Sequence, residues 1–86
     1  MKIGSPALTV ANAAAVVAAG EAAIRGGDAL IDFTGVVRCD SSAVACLLAW
    51  QRTARAAGVP LQVLALPQDL ASLANLYGVR ELIGAV

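Results

Sequence analysis

Asp40, Ser41 and Ser42 stand together where a strand-like run ending at Cys39 gives way to an apolar, helix-forming segment. Such a triplet can cap the helix, receive an anion on backbone N–H groups, or present a hydroxyl to a partner. Covalent catalysis finds less support. The chain contains no histidine, so neither its serines nor its cysteines have the imidazole base that Ser-His-Asp and Cys-His arrangements use near neutral pH. Asp28, Asp32 and Asp40 are carboxylates that fall near one another in sequence. Asp28 falls in a Gly-rich turn and Asp32 on a strand, whereas a metal site calls for a denser oxygen cluster. Cys39 and Cys46 lie seven residues apart, which is neither a redox CxxC nor a metal-ligand spacing. They read as small, buried hydrophobes. No GxxxxGK[ST] occurs, so P-loop nucleotide binding is excluded. The expectation is a protein with no catalytic residues, no metal and no cofactor.

The elements that would position the triplet can be read from periodicity. Thr9 is placed to cap a first helix reaching about Arg25, with Val10, Ala14, Val17 and Ile24 near one face and Gly26-Gly27 as its stop. Gly20 weakens the middle of that helix. Leu30 to Thr34 predicts a strand with Ile31 and Phe33 on one face and Asp32 and Thr34 on the other. After the triplet, a helix from about Ser42 to Ala57 holds Leu47 and Leu48 inside and Gln51, Arg52 and Arg55 outside, with Gly58 as its C′ residue. Leu61 to Ala65 predicts a second strand. Strand, helix and strand in succession form a βαβ unit with parallel strands. Pro67 opens a third helix with Asp69 in its first turn, Leu70, Leu73 and Tyr77 on one stripe and Gly78 at its end. A short turn or helix at 80–83 follows.

Composition limits the partners. With 86 residues the chain predicts a single domain, 1–86, of modest stability. Apolar residues make up 59% of it but aromatics only 3%, so the core must be built from thin alanine, valine and leucine layers. Six basic residues balance six acidic ones, leaving no basic stripe for nucleic acid. Mean hydropathy is high, at +0.78. Even so, the longest apolar stretch on a candidate helix, 43–50, is far short of the roughly 20 residues of a membrane span. Residues 1–6 lack a secretory h-region. A soluble, cytoplasmic protein with reduced thiols is expected, and a partner protein or self-association would help stabilise it. The second half of the triplet has two readings. Capping accounts for it, and at the positive end of the helix dipole a serine there could also carry a phosphoryl group. Trp50, the only tryptophan, reads as packing or as an interface anchor.

IDFTGVVRCDSSAVACLLAWQRTARAAGVPLQVLALP followed by LASLANLYGVRELI resembles the STAS domain family, and within it the MlaB-type subunits of bacterial phospholipid ABC transporters. The likeness covers about Leu8 to Ile83. It implies a small α/β fold with a mixed sheet and helices packed mainly on one face. The N-terminal hairpin would be shortened, because only six residues precede Ala7, and the open edge would favour a homodimer of the isolated chain. It also implies a non-catalytic docking role at an ABC transporter ATPase, reaching the membrane only through that complex and serving lipid asymmetry of the outer membrane. Ser41 and Ser42 would then form the polar centre of the contact, with Arg38, Asp40, Ala43, Trp50 and Arg52 around it. The anti-sigma factor antagonists share the Asp-Ser-Ser junction. That likeness implies the alternative, a switch in which a serine kinase partner phosphorylates Ser42, the second of the pair, with Ser41 beside it. Ala43 departs from the glycine usual at its place.

Overall fold

A computed structural model describes residues 1–76 and 84–85, with side-chain surroundings through residue 73. The elements are β1 (Ala7–Leu8), α1 (Ala13–Arg25), β2 (Leu30–Asp32), β3 (Arg38–Cys39), α2 (Ser41–Ala57), β4 (Gln62–Leu64), α3 (Gln68–Leu76) and β5 (Gly84–Ala85). This is the expected small α/β architecture. Tyr77, Gly78 and the turn or helix expected at 80–83 lie outside the described residues.

Every described strand pairing is parallel. β4 lies between β2 and β5, with Ile31 beside Val63 and Val63 beside Ala85. β1 pairs with β3 in a second sheet, Ala7 beside Arg38 and Leu8 beside Cys39. The two sheets share the same two chain segments. Asp32 N–H donates to the Met1 carbonyl at 2.8 Å and Ile3 N–H to the Asp32 carbonyl at 3.0 Å, so the first residues run along β2 before continuing into β1. They form no hairpin of their own, and residues 1–3 cover one edge of β2. Between the sheets the chain turns at Thr34 and Gly35. Gly35 has φ 88°, a region that glycine enters without a Cβ clash. Thr34 N–H donates to Asp32 Oδ1 at 2.8 Å. The strand expected to run unbroken to Thr34 ends at Asp32, and the chain is next extended as β3.

The period-2 pattern governs burial as anticipated: Ile31, Phe33, Leu61 and Val63 are buried while Gln62 and Thr34 are exposed. α2 places Ala43, Val44, Cys46, Leu47, Trp50, Thr53 and Ala54 inside, a 3.6-residue stripe. It stops at Gly58, whose φ of 72° supplies the left-handed C-cap read from the sequence. α1 packs on α2, and α3 packs on α2 and beside β3 with Leu70 fully buried. α1 and α2 run in the same direction. Successive contacts show it: Cys46 Sγ reaches the Ala13 carbonyl at 3.9 Å, Trp50 Nε1 the Val17 carbonyl at 3.0 Å, and Thr53 Oγ1 the Glu21 carboxylate at 3.1 Å.

Two expectations for α1 are corrected. Its helix begins at Ala13 rather than after Thr9, because Asn12 Oδ1 accepts from Thr9 N–H at 3.0 Å and folds residues 9–12 into a turn. Val10 therefore precedes the helix and is 81% exposed instead of facing the core. Gly20, expected as a weakness, is required: a Cβ there would lie 2.3 Å from Trp50 Nε1. The missing side chain is what lets the indole lie against α1.

Candidate functional site

Asp40 organises the junction. It is the N-cap of α2 in extended conformation, and its Oδ1 accepts from Ser42 N–H at 2.9 Å, which satisfies a backbone donor left open at the helix start. The Ser42 hydroxyl donates to the same oxygen. Asp40 Oδ2 accepts from Val10 N–H at 3.0 Å, tying the turn before α1 to the start of α2. The Ser42 hydroxyl foremost, and then the Val10 N–H, hold the Asp40 carboxyl below its usual range.

The two serines thereby receive different surroundings. Ser42 is half-buried and its hydroxyl is engaged by Asp40, whereas Ser41 is exposed at the first position of α2. Arg38, on β3, is exposed beside the junction. Val10, whose N–H donates to Asp40, is 81% exposed, so apolar surface adjoins these polar groups. Arg52 is exposed, but it lies on α2 about 16 Å from Ser41 along the axis, at 1.5 Å per residue.

Two of the residues expected at a partner surface lie inside instead. Trp50 and Ala43 are both 0% exposed. Trp50 is held by Phe33, edge to face with ring centroids 6.3 Å apart, and by its hydrogen bond to Val17. An aromatic on the inner stripe of α2 is core by position. Ala43 occupies the first inward position of the same helix.

Sequence reasoning missed the turn at residues 9–12 and the groove beside it. Where α1 and α2 diverge outward, Ala13, Ala14, Val17, Ser42, Ala45 and Ala49 line a shallow apolar groove of about 270 Å³. Toward the C-terminal ends of the same helices, Arg25, Arg52, Thr53, Ala56 and Ala57 line a second cleft of about 370 Å³. Only the exposed alanines of both helices, Ala14 and Ala45 among them, hinted at this in the sequence.

No group of three potential metal ligands occurs among the described residues. Cys46 is buried, and burial foremost, helped by the charge of Asp40, pushes its thiol up to about 11. Cys39 is half-buried, with its thiol raised by the same cause. Neither resembles an activated nucleophile, which requires a lowered pKa. No described helix is long and apolar enough to cross a membrane. Chemically the junction offers a fixed carboxylate, one engaged and one exposed hydroxyl, and an apolar rim, which is the equipment of a contact surface.

The family model described as "Mlab, STAS domain" matches residues 5–84. No curated protein and no solved structure matches the chain.

Proposed function

The chain belongs to the MlaB-type STAS domain family, and on that premise we propose that it is a non-catalytic subunit that binds the ATPase of a phospholipid ABC transporter and stabilises or regulates it. Its place would be the cytoplasmic side of the inner membrane, reached through that complex. The observation that carries this reading is the exposed Ser41 at the start of α2, next to a junction locked by Asp40 to which the exposed Val10 is tied. A preorganised polar point on an apolar rim loses little entropy on binding. Arg38 and Arg52 would lie toward the periphery of such a contact, while Ala43 and Trp50 would support it from within.

The test is affinity capture of the tagged chain from its native membrane extract, with identification of co-eluting proteins. Recovery of an ABC ATPase with its permease supports the reading. Loss of that recovery in Ser41→Lys, with wild-type stability, assigns the contact to the junction. Recovery unchanged in both Ser41→Ala and Ser41→Lys removes Ser41 from it.

One observation favours a second reading, the phosphorylated switch. Because the Ser42 hydroxyl donates to Asp40, a phosphoryl group on Ser42 would set about two negative charges against that carboxylate and break the cap. Co-elution of a serine kinase, with added phosphate mass on Ser42, would replace the transporter reading with this one.

A further inference from the structure

The cleft between the C-terminal ends of α1 and α2 is lined by two cations, and the fold accounts for only one of them. Arg25 and Arg52 both line it, and both are exposed. Among the described residues the only ion pair joins Met1 to Asp28, so neither guanidinium has a carboxylate within 4.0 Å there. Glu21, the acidic residue on the adjoining turn of α1, accepts a hydrogen bond from Thr53, which lines the cleft, so its charge offsets part of the two positive ones and leaves the site net positive. Cations in the last turn of a helix offset its dipole, and Arg25 does this for α1 and Arg55 for α2. Arg52 lies one turn earlier and serves no such purpose. Two cations thus converge on a concave site of about 370 Å³.

The cleft and the apolar groove lie along the same two helices. Ser42, Ala45, Ala49, Arg52 and Ala56 follow one ridge of α2, at spacings of three and four residues. Ala14 and Arg25 lie on the facing side of α1. Ser42 to Ala56 spans about 21 Å, the length of a four-turn helix. α1 and α2 are parallel, so a helix laid between them with opposite direction would bring its N-terminal end to the arginines. That end favours acidic side chains, and the opposed dipoles attract. A second copy of this chain is poorly suited to the place: α1 has no acidic residue in its first turn, the Asp40 carboxylate that caps α2 is already engaged by Ser42 and Val10, and α3, which has Asp69 there, is packed on α2 of its own chain with Leu70 buried.

We propose that the outer groove of the α1/α2 pair receives an amphipathic helix of a different protein, antiparallel to both helices, with carboxylates of its first turn on Arg25 and Arg52 and its apolar face over Ala45 and Ala49. The proposal rests on the docking function above, the helix being a segment of that partner.

The test uses two labelled helical peptides of about 16 residues with identical composition and a leucine-alanine face. One has its glutamates in the first turn, the other in the last. Fluorescence anisotropy should show the first binding roughly tenfold more tightly, and Arg25→Glu/Arg52→Glu should reverse the preference. Arg25→Gln/Arg52→Gln should abolish it while a cooperative melting transition is retained. Amide shifts should fall on Ala14, Ala45 and Ala49. Equal affinity of the two peptides, shifts elsewhere, or an absence of binding overturns the proposal, as does self-association of the chain through this face. The two readings fail separately: an ATPase captured equally well by the double-glutamate variant sinks the groove and leaves the docking function, whereas peptide preference without any ATPase capture does the reverse.

Discussion

At the scale of single residues, Asp40 does more than a capping residue ordinarily does. Its carboxylate joins the start of α2 to the turn before α1, so its charge is coupled to two elements. Because its folded pKa is lowered from 3.8, its ionic contribution to stability is present above that pH and is lost as pH falls through the lowered value. Urea denaturation should therefore show Asp40→Asn weaker than wild type near neutral pH, with the difference shrinking below pH 3.8. A constant difference would mean that the charge is immaterial. The cysteines give the opposite sign. With Cys46 raised from 9.0 to about 11, the neutral thiol favours the fold below pH 9.0, and that contribution is lost as pH rises toward about 11. In native protein near neutral pH, iodoacetamide should label Cys39 before Cys46, with Cys46 following only on unfolding, as read by intact mass. Equal labelling would contradict the burial of Cys46.

At the scale of elements, the parallel contact of α1 with α2 depends on a residue that propensity alone would condemn. Gly20→Ala in an exposed helix should gain about 1 kcal/mol. Here the new Cβ would meet Trp50 at 2.3 Å, and overpacking of this kind costs about 1–3 kcal/mol. Thermal denaturation should show Gly20→Ala destabilised, whereas Ala18→Gly on the exposed side of the same helix loses only the propensity term. At the other end of the pair, Gly58→Ala should cost about 1–2 kcal/mol, because φ of 72° places a Cβ against the following carbonyl. A neutral Gly58→Ala would mean that the cap relaxes.

At the scale of the whole molecule, a Leu47→Ala protein should lose about 2–5 kcal/mol, because Leu47 is 0% exposed in a core with few large side chains. Chemical denaturation would measure it, and a loss below 1 kcal/mol would mean that the site collapses around the gap. How much of this architecture was legible follows from which forces are local. The burial alternation of β2 and β4, the inner stripe of α2 and the Gly58 cap are set by neighbouring residues and could be read directly. The two-residue strands β1, β3 and β5 carry too few residues for any period, and they exist only because distant segments meet. The start of α1 was misplaced because Asn12 closes a turn with Thr9, a choice that competes with the helix at no visible cost in pattern. The junction at Asp40 was legible as a cap. Its link to Val10, the division of roles between Ser41 and Ser42, and the cleft at Arg25 and Arg52 were not, since each depends on how α1 lies beside α2.

The burial of Trp50 has an optical consequence. The chain has one tryptophan, and its indole is fully shielded, hydrogen-bonded to α1 and stacked edge-on to Phe33 beneath it. Its emission should therefore be blue-shifted and insensitive to aqueous quenchers. The protein so carries an intrinsic fluorophore at the seam of its two principal helices: a ligand that rests on their outer surface leaves the spectrum in place, while one that wedges them apart shifts it to the red.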